Sequence, residues 1–216
     1  MDFAQLIEWY LENINYWTIA ILMAIESSFI PFPSEVVVPP AAYKAAEAGS
    51  DLNLVMVFIS ATIGALIGAL VNYALAYYLG RPIIYKLAES RFGHAMLLSA
   101  DKVRHAEEYF NRHGAVSTII GRLVPAVRQL ISLPAGLAKM PMGKFILYTC
   151  IGAGAWNLIL LFLGWWLHSI VPQDELIETV NKYSHEIGLV FIGVAVCIVA
   201  YLAYQSFKKK KDSKKA

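Results

Sequence analysis

The chain has 216 residues, 58% of them hydrophobic and 16% charged, with 18 basic and 16 acidic side chains and a formal charge of +2. Soluble globular proteins carry roughly 45–50% apolar and about 25% charged residues, so a typical soluble enzyme is excluded. The near-neutral total conceals an uneven distribution of charge along the chain, and that distribution sets the expected topology.

In chain order, Asp2, Glu8 and Glu12 stand where a secretory leader is basic, and no small-residue cleavage site follows, so no cleaved signal is expected. From Asn13 to Tyr43 the chain is apolar apart from Glu26 and Glu35, but Pro31, Pro33, Pro39 and Pro40 interrupt it. Each proline removes an amide donor and clashes with the preceding turn, which excludes a straight spanning helix. Backbone opened at membrane depth must be satisfied by protein or water, so a re-entrant helical hairpin is expected over residues 14–47. Residues 52–80 contain no Asp, Glu, Lys or Arg. At 1.5 Å per residue they exceed the ~20 residues that cross the hydrocarbon layer, which predicts a transmembrane helix.

Residues 81–113 hold six basic side chains and predict a cytoplasmic amphipathic segment lying on the membrane. Residues 114–139 repeat the broken pattern, with Arg122 and Arg128 flanking Pro125 and with Pro134 beyond, and predict a second re-entrant hairpin. Uncharged stretches over residues 145–170 and 187–207 predict two further transmembrane helices, and residues 208–216 form a basic tail with six lysines. The expected architecture is an all-α integral membrane protein.

Fourteen basic residues fall in the 81–113 segment, at Lys139 and Lys144, and in the tail, while Lys44 and Lys182 share the other side with nine acidic residues. The positive-inside rule then places the C-terminus in the cytoplasm and alternates the spans consistently. The first hairpin begins and ends outside, the second inside. A shift of 94 positions lays Pro31 on Pro125, Pro40 on Pro134 and Ala41 on Ala135, and a shift of 88 lays Gly64-Ala65 on Gly152-Ala153. Each half is thus a hairpin followed by a span, and the halves point in opposite directions. Such an inverted-topology repeat is the usual frame of a transporter with its site near the midplane.

The strings ESSFIPFPSEVVVPPAAYKA and GRLVPAVRQLISLPAGLAKMPMGKF resemble the DedA family of bacterial membrane proteins, related to the eukaryotic VTT-domain lipid scramblases. The resemblance extends over residues 14–166. It implies two facing re-entrant hairpins, an acidic pair in the first and an arginine pair in the second, here Glu26 and Glu35 with Arg122 and Arg128. The chain departs from a branch of the family that has Gly-Asp in place of Ser34-Glu35. The family further implies a bacterial cytoplasmic membrane location and a lipid-transport role, with undecaprenyl phosphate as the leading substrate and phosphatidylethanolamine second.

Charge at a membrane-helix centre costs roughly 2.5–3.5 kcal/mol per residue, so four such side chains call for a use. Arg122 and Arg128 suit phosphate, because a planar guanidinium donates two parallel hydrogen bonds. Glu26 and Glu35 are the expected proton-coupling groups, since desolvation and a neighbouring arginine pull a carboxyl in opposite senses. Pairing of the four as structural salt bridges is the alternative, and both roles can coexist.

Ser34, Gln129, Asn72 and Asn157 are weaker cavity-lining candidates, the asparagines serving equally as interhelical hydrogen-bonding groups. Gly64-x-x-x-Gly68 permits close helix approach within the protomer or in a homodimer. Trp17, Trp165 and Trp166 read as interfacial belts, and Cys150 and Cys197 as apolar packing. His94, His105 and His113 lack H-E-x-x-H spacing, so no metal is expected. No cofactor, nucleic acid or catalytic residue is expected; protons and membrane lipids are. The alternatives to a polyprenyl-phosphate flippase are a phosphatidylethanolamine flippase, an uncoupled scramblase and a proton-coupled small-solute transporter. An enzyme is disfavoured by the lack of a G-x-S-x-G or comparable motif.

Overall fold

Helix ends in this chain fall where capping side chains and prolines put them. The computed structural model describes residues 3–28, 33–80, 82–83, 86, 100–124, 127–172, 175–180, 182–183, 186, 189–190 and 193, and among these it is all-helical. After α1 (Phe3–Glu12), α2 (Tyr16–Glu26) starts at a capping box: Asn15 Oδ1 accepts from the amides of Trp17 and Thr18, and Thr18 Oγ1 accepts from Asn15 N. A 3₁₀ turn, Ser34–Val36, leads into α3 (Val38–Ala46), whose Pro39 and Pro40 lie in the first turn. No helical hydrogen bond is lost there.

The side chain of Asn53 caps α4 (Leu54–Leu75), and a π turn, Ala76–Gly80, prolongs it. Together they make a 27-residue apolar helix, about 40 Å long at 1.5 Å per residue. Then come α5 (Ala100–Leu123), α6 (Ser132–Leu137) and the 26-residue α7 (Met142–Leu167). Lys139, with φ +49, closes α6 in the left-handed conformation, and Met140 N bonds back to Ala135 O.

Helices α4 and α7 pack on each other and form the centre, and each carries one arm from either half of the chain. Helix α2 lies on α4, where Gly64 and Gly68 face the backbone carbonyls of Ala20 and Ala24; α5 lies on α7, where Gly152 faces Ile119 and Arg122. The second arms cross over. Helix α3 packs on α7 at Gly164 against Pro39, and α6 packs on α4 at Gly136 against Tyr73 and Ala76. Tyr10 ties α1 into this core by donating from Oη to Val37 O at 2.7 Å; burial pushes its hydroxyl pKa up, which keeps it a neutral donor.

The burial pattern inverts that of a soluble helix. On α4 the small residues Ser60, Ala61, Gly64, Ala65, Gly68 and Ala69 are buried, while Ile59, Ile63, Ile67, Val71 and Leu75 form an exposed stripe at four-residue spacing. Small residues inside and large aliphatics outside suit a helix bundle solvated by lipid, where close backbone approach replaces hydrophobic drive.

Two of the expected spans correspond closely to helices: 52–80 to Leu54–Gly80, and 145–170 to Met142–Leu167. The second begins three residues earlier because Pro141 occupies its N-cap, and Lys144 sits exposed in its first turn. Helix α5 runs without interruption through the expected boundary between 113 and 114, since no proline intervenes and Gly114 packs on Phe110. Most of the third expected span, the basic tail, His94, Cys197, Pro31, Pro125 and most of 81–99 lie outside the described residues.

Candidate functional site

All four charged residues singled out in the sequence meet at one buried place. Glu26 is the last residue of α2, Glu35 sits in the 3₁₀ turn, Arg122 is in the last turn of α5, and Arg128 follows the break between α5 and α6. Each stands in or beside a break between helices, so the breaks that exclude straight spans are what bring the charges together. Arg128 is the hub. Its Nε lies 3.1 Å from Glu26 Oε1 and its Nη2 lies 3.2 Å from Glu35 Oε2. The second contact is a directed hydrogen bond; the first is close enough for an ion pair but lacks hydrogen-bond alignment. Fully ionised, the two glutamates and two arginines sum to zero charge.

Arg122, 2% exposed, donates from Nη2 to Ser132 Oγ at 2.8 Å. Arg122 Nε and Arg128 Nη1 are buried with no hydrogen-bond partner among the described residues. Both arginines, Glu26, Ser27, Ser34, Ala65, Trp156 and Asn157 line a small, partly open cavity with room for about one water molecule. Ser27 Oγ donates to Glu26 Oε2 at 2.8 Å.

Of the weaker candidates, Ser34 and Asn157 line the cavity, and Asn157 Nδ2 reaches Thr62 Oγ1 at 3.4 Å, joining α7 to α4. Asn72 and Gln129 lie beside it. Asn72 Nδ2 donates to the carbonyls of Ser27 at 3.2 Å and Gln129 at 3.3 Å, so one side chain on α4 fastens the chain just after α2 to the turn between α5 and α6. Trp156, Ser27 and Ser132 escaped the sequence reading. The only signal for Trp156 is a large ring beside the run Gly152-Ala153-Gly154-Ala155. Among the described residues no group of three or more His, Cys, Asp or Glu is placed to share a metal ion.

On the outer flank of α7, a second concavity of about 640 Å³ is walled by Leu54, Leu158, Leu161, Phe162, Trp165 and Trp166 with their neighbours and is wholly apolar. It carries none of the charged residues.

Among the described residues, two apolar helices long enough to cross a membrane stand beside a buried arginine–glutamate cluster, a combination that fits a helical membrane protein. The VTT domain family model matches residues 32–166, and the chain belongs to this family, the DedA family of bacterial membrane proteins. An alkaline phosphatase-like protein of Lactococcus lactis subsp. cremoris is 32% identical over 94% of this chain and 93% of its own length. Undecaprenyl phosphate transporter A of Bacillus subtilis is 31% identical over 91% and 90%, and protein DedA of Escherichia coli 28% identical over 82% and 83%. No solved structure matches the chain.

Proposed function

We propose that this protein is a transporter that moves undecaprenyl phosphate between the leaflets of the bacterial cytoplasmic membrane, coupled to protons, with Arg122 and Arg128 as the phosphate site and Glu26 and Glu35 as the coupling groups. The observation that carries the reading is the Arg128 fork between two carboxylates, with one N–H edge of each arginine unpartnered among the described residues in a shared cavity. Protonation of Glu35 weakens its hold on Arg128 Nη2. The released edge, together with Arg122 Nε, then offers parallel donors to a phosphate; loss of the proton restores the pair and expels the anion. The cavity is too small for a phosphate while the pairs are closed, so binding requires them to part.

The phosphate reading also fits the comparisons, since the names of the Lactococcus and Bacillus relatives, an alkaline phosphatase-like protein and undecaprenyl phosphate transporter A, both refer to phosphate chemistry. A phosphate monoester carries about −1.5 to −2 charge at neutral pH, which the two arginines match once both Glu26 and Glu35 are protonated, whereas a phosphodiester such as that of phosphatidylethanolamine needs only one of the two neutralised.

The same reading takes residues 14–47 and 114–139 as re-entrant hairpins of an inverted repeat, with the C-terminal span 187–207 added and the tail inside. The crossed-over packing supports it. Each central helix receives its own half's first arm and the other half's second arm, as a pseudo-twofold relation requires.

Proteoliposomes containing undecaprenyl phosphate test the proposal through the rate at which the lipid becomes accessible to an impermeant phosphate-specific probe. Gradient-sensitive exchange by the wild type, lost in Arg128→Ala, is the expected result. Exchange indifferent to the gradient would make the protein an uncoupled scramblase. Exchange of phosphatidylethanolamine alone, or of a small solute alone, would reassign the substrate. Release of inorganic phosphate would favour the chemistry that the name of the Lactococcus relative suggests.

A further inference from the structure

Four groups from three separate elements close a ring around the ion pair. Trp156 on α7 donates from Nε1 to Ser34 Oγ at 3.3 Å, and Ser34 Oγ donates in turn to Glu35 Oε2 at 3.5 Å. Arg128 Nη2 donates to that same carboxylate oxygen at 3.2 Å, and Arg128 Cζ lies 5.3 Å from the centre of the Trp156 ring. Trp156, 2% exposed, therefore touches both sides of the contact that joins the two halves of the chain: the acidic turn through its indole N–H, the arginine through its ring face.

A guanidinium against an aromatic ring is attracted through its face, which leaves its in-plane N–H groups available to acceptors. The ring thus holds Arg128 without occupying a donor. The other partners of Arg128 are carboxylates, and their grip weakens on protonation. An indole ring does not titrate. Once a proton has loosened Glu35, the ring is the neighbour whose attraction for Arg128 is unchanged.

We infer that Trp156 is a positioning residue that keeps Arg128 in the cavity while a lipid phosphate replaces the carboxylates, and that its bond to Ser34 couples this to the Glu35 turn. The inference rests on the phosphate reading above and adds a residue to it.

The test uses the full chain in nanodiscs, with Trp9, Trp17, Trp165 and Trp166 replaced by Phe so that Trp156 is the one tryptophan left of five. Those four are each at least 39% exposed. Undecaprenyl phosphate is titrated across a pH series, and Trp156 emission is followed alongside binding. Emission should change on binding. In the native-Trp background W156L should weaken affinity roughly tenfold, within the range of a desolvated cation–π contact. W156F, which keeps a ring but no N–H, should recover most of that loss while its pH profile moves. Should W156L fail to fold, S34A, which removes both the acceptor for Trp156 Nε1 and the donor to Glu35 Oε2, should shift the pH profile by itself. Wild-type binding with silent Trp156 emission, or unaltered affinity and pH profile in W156L, or in S34A where that stands in for it, overturns the inference alone. No binding by the wild type at any pH overturns the phosphate reading and the inference with it.

Discussion

Arg128 divides its guanidinium between two carboxylates of unequal grip, directed toward Glu35 and merely close to Glu26. Removing one partner of a buried pair costs about 3–5 kcal/mol, because the other charge is stranded. Arg128→Ala strands two carboxylates at once, one of them on the 3%-exposed Glu26, and should be the most destabilising change at the site. Glu35→Gln keeps an acceptor for Nη2 and leaves Arg128 paired with Glu26, so it should melt closer to wild type in detergent. It should also remove the pH dependence of transport while retaining some phosphate binding; unchanged pH dependence would exclude Glu35 as the coupling group. Arg128→Lys keeps the charge but not the fork, and should bind phosphate less well than wild type at every pH. Glu26, Glu35, Arg122 and Arg128 were legible in the sequence because a charge in an apolar stretch contrasts with its surroundings. Trp156 offers no such contrast within an apolar helix, and only its neighbours in space give it a role.

Glycines decide how closely the helices approach. A Cβ at Gly64 would meet the backbone of Ala20, and one at Gly164 would lie 2.7 Å from Pro39 Cα. Backbone cannot yield as a flexible side chain can, so Gly64→Leu and Gly164→Val should each destabilise the protein by about 1–3 kcal/mol, the usual range for overpacking. Gly143→Ala is the contrast: nothing lies within 4 Å of its Cβ position, and its melting temperature should match or slightly exceed wild type. A Gly164→Val protein that melts like Gly143→Ala would contradict the α3–α7 contact. The spans were readable from charge-free length, and the ends only within a few residues. Lys144 marked an end in the sequence, yet it tolerates the first turn of α7, where a long side chain can reach the interface. The 113/114 boundary followed a change of composition, whereas the helix continues because nothing in the chain there stops it.

Across the whole molecule, the site lies where arms from both halves meet on the two central helices, with Asn72 fastening Ser27 to Gln129. The topology read from charge is open to a direct check: a reporter or an accessible cysteine after residue 207 should report the cytoplasm, and one near Glu47 the outside. The reverse result would invert the proposed direction of both hairpins. Composition and spacing along the chain were enough to establish a lipid-solvated helical protein, its two central helices, the broken segments before each and the four charges within them. Hydrophobic length, proline chemistry and the expense of intramembrane charge are local properties, written in consecutive residues. Which charge pairs with which, the crossing of α3 onto α7 and α6 onto α4, and the ring of Trp156 over Arg128 depend on residues 28 to 125 positions apart in sequence. Contacts over such separations leave no periodicity in one sequence, because close packing in three dimensions alone selects them.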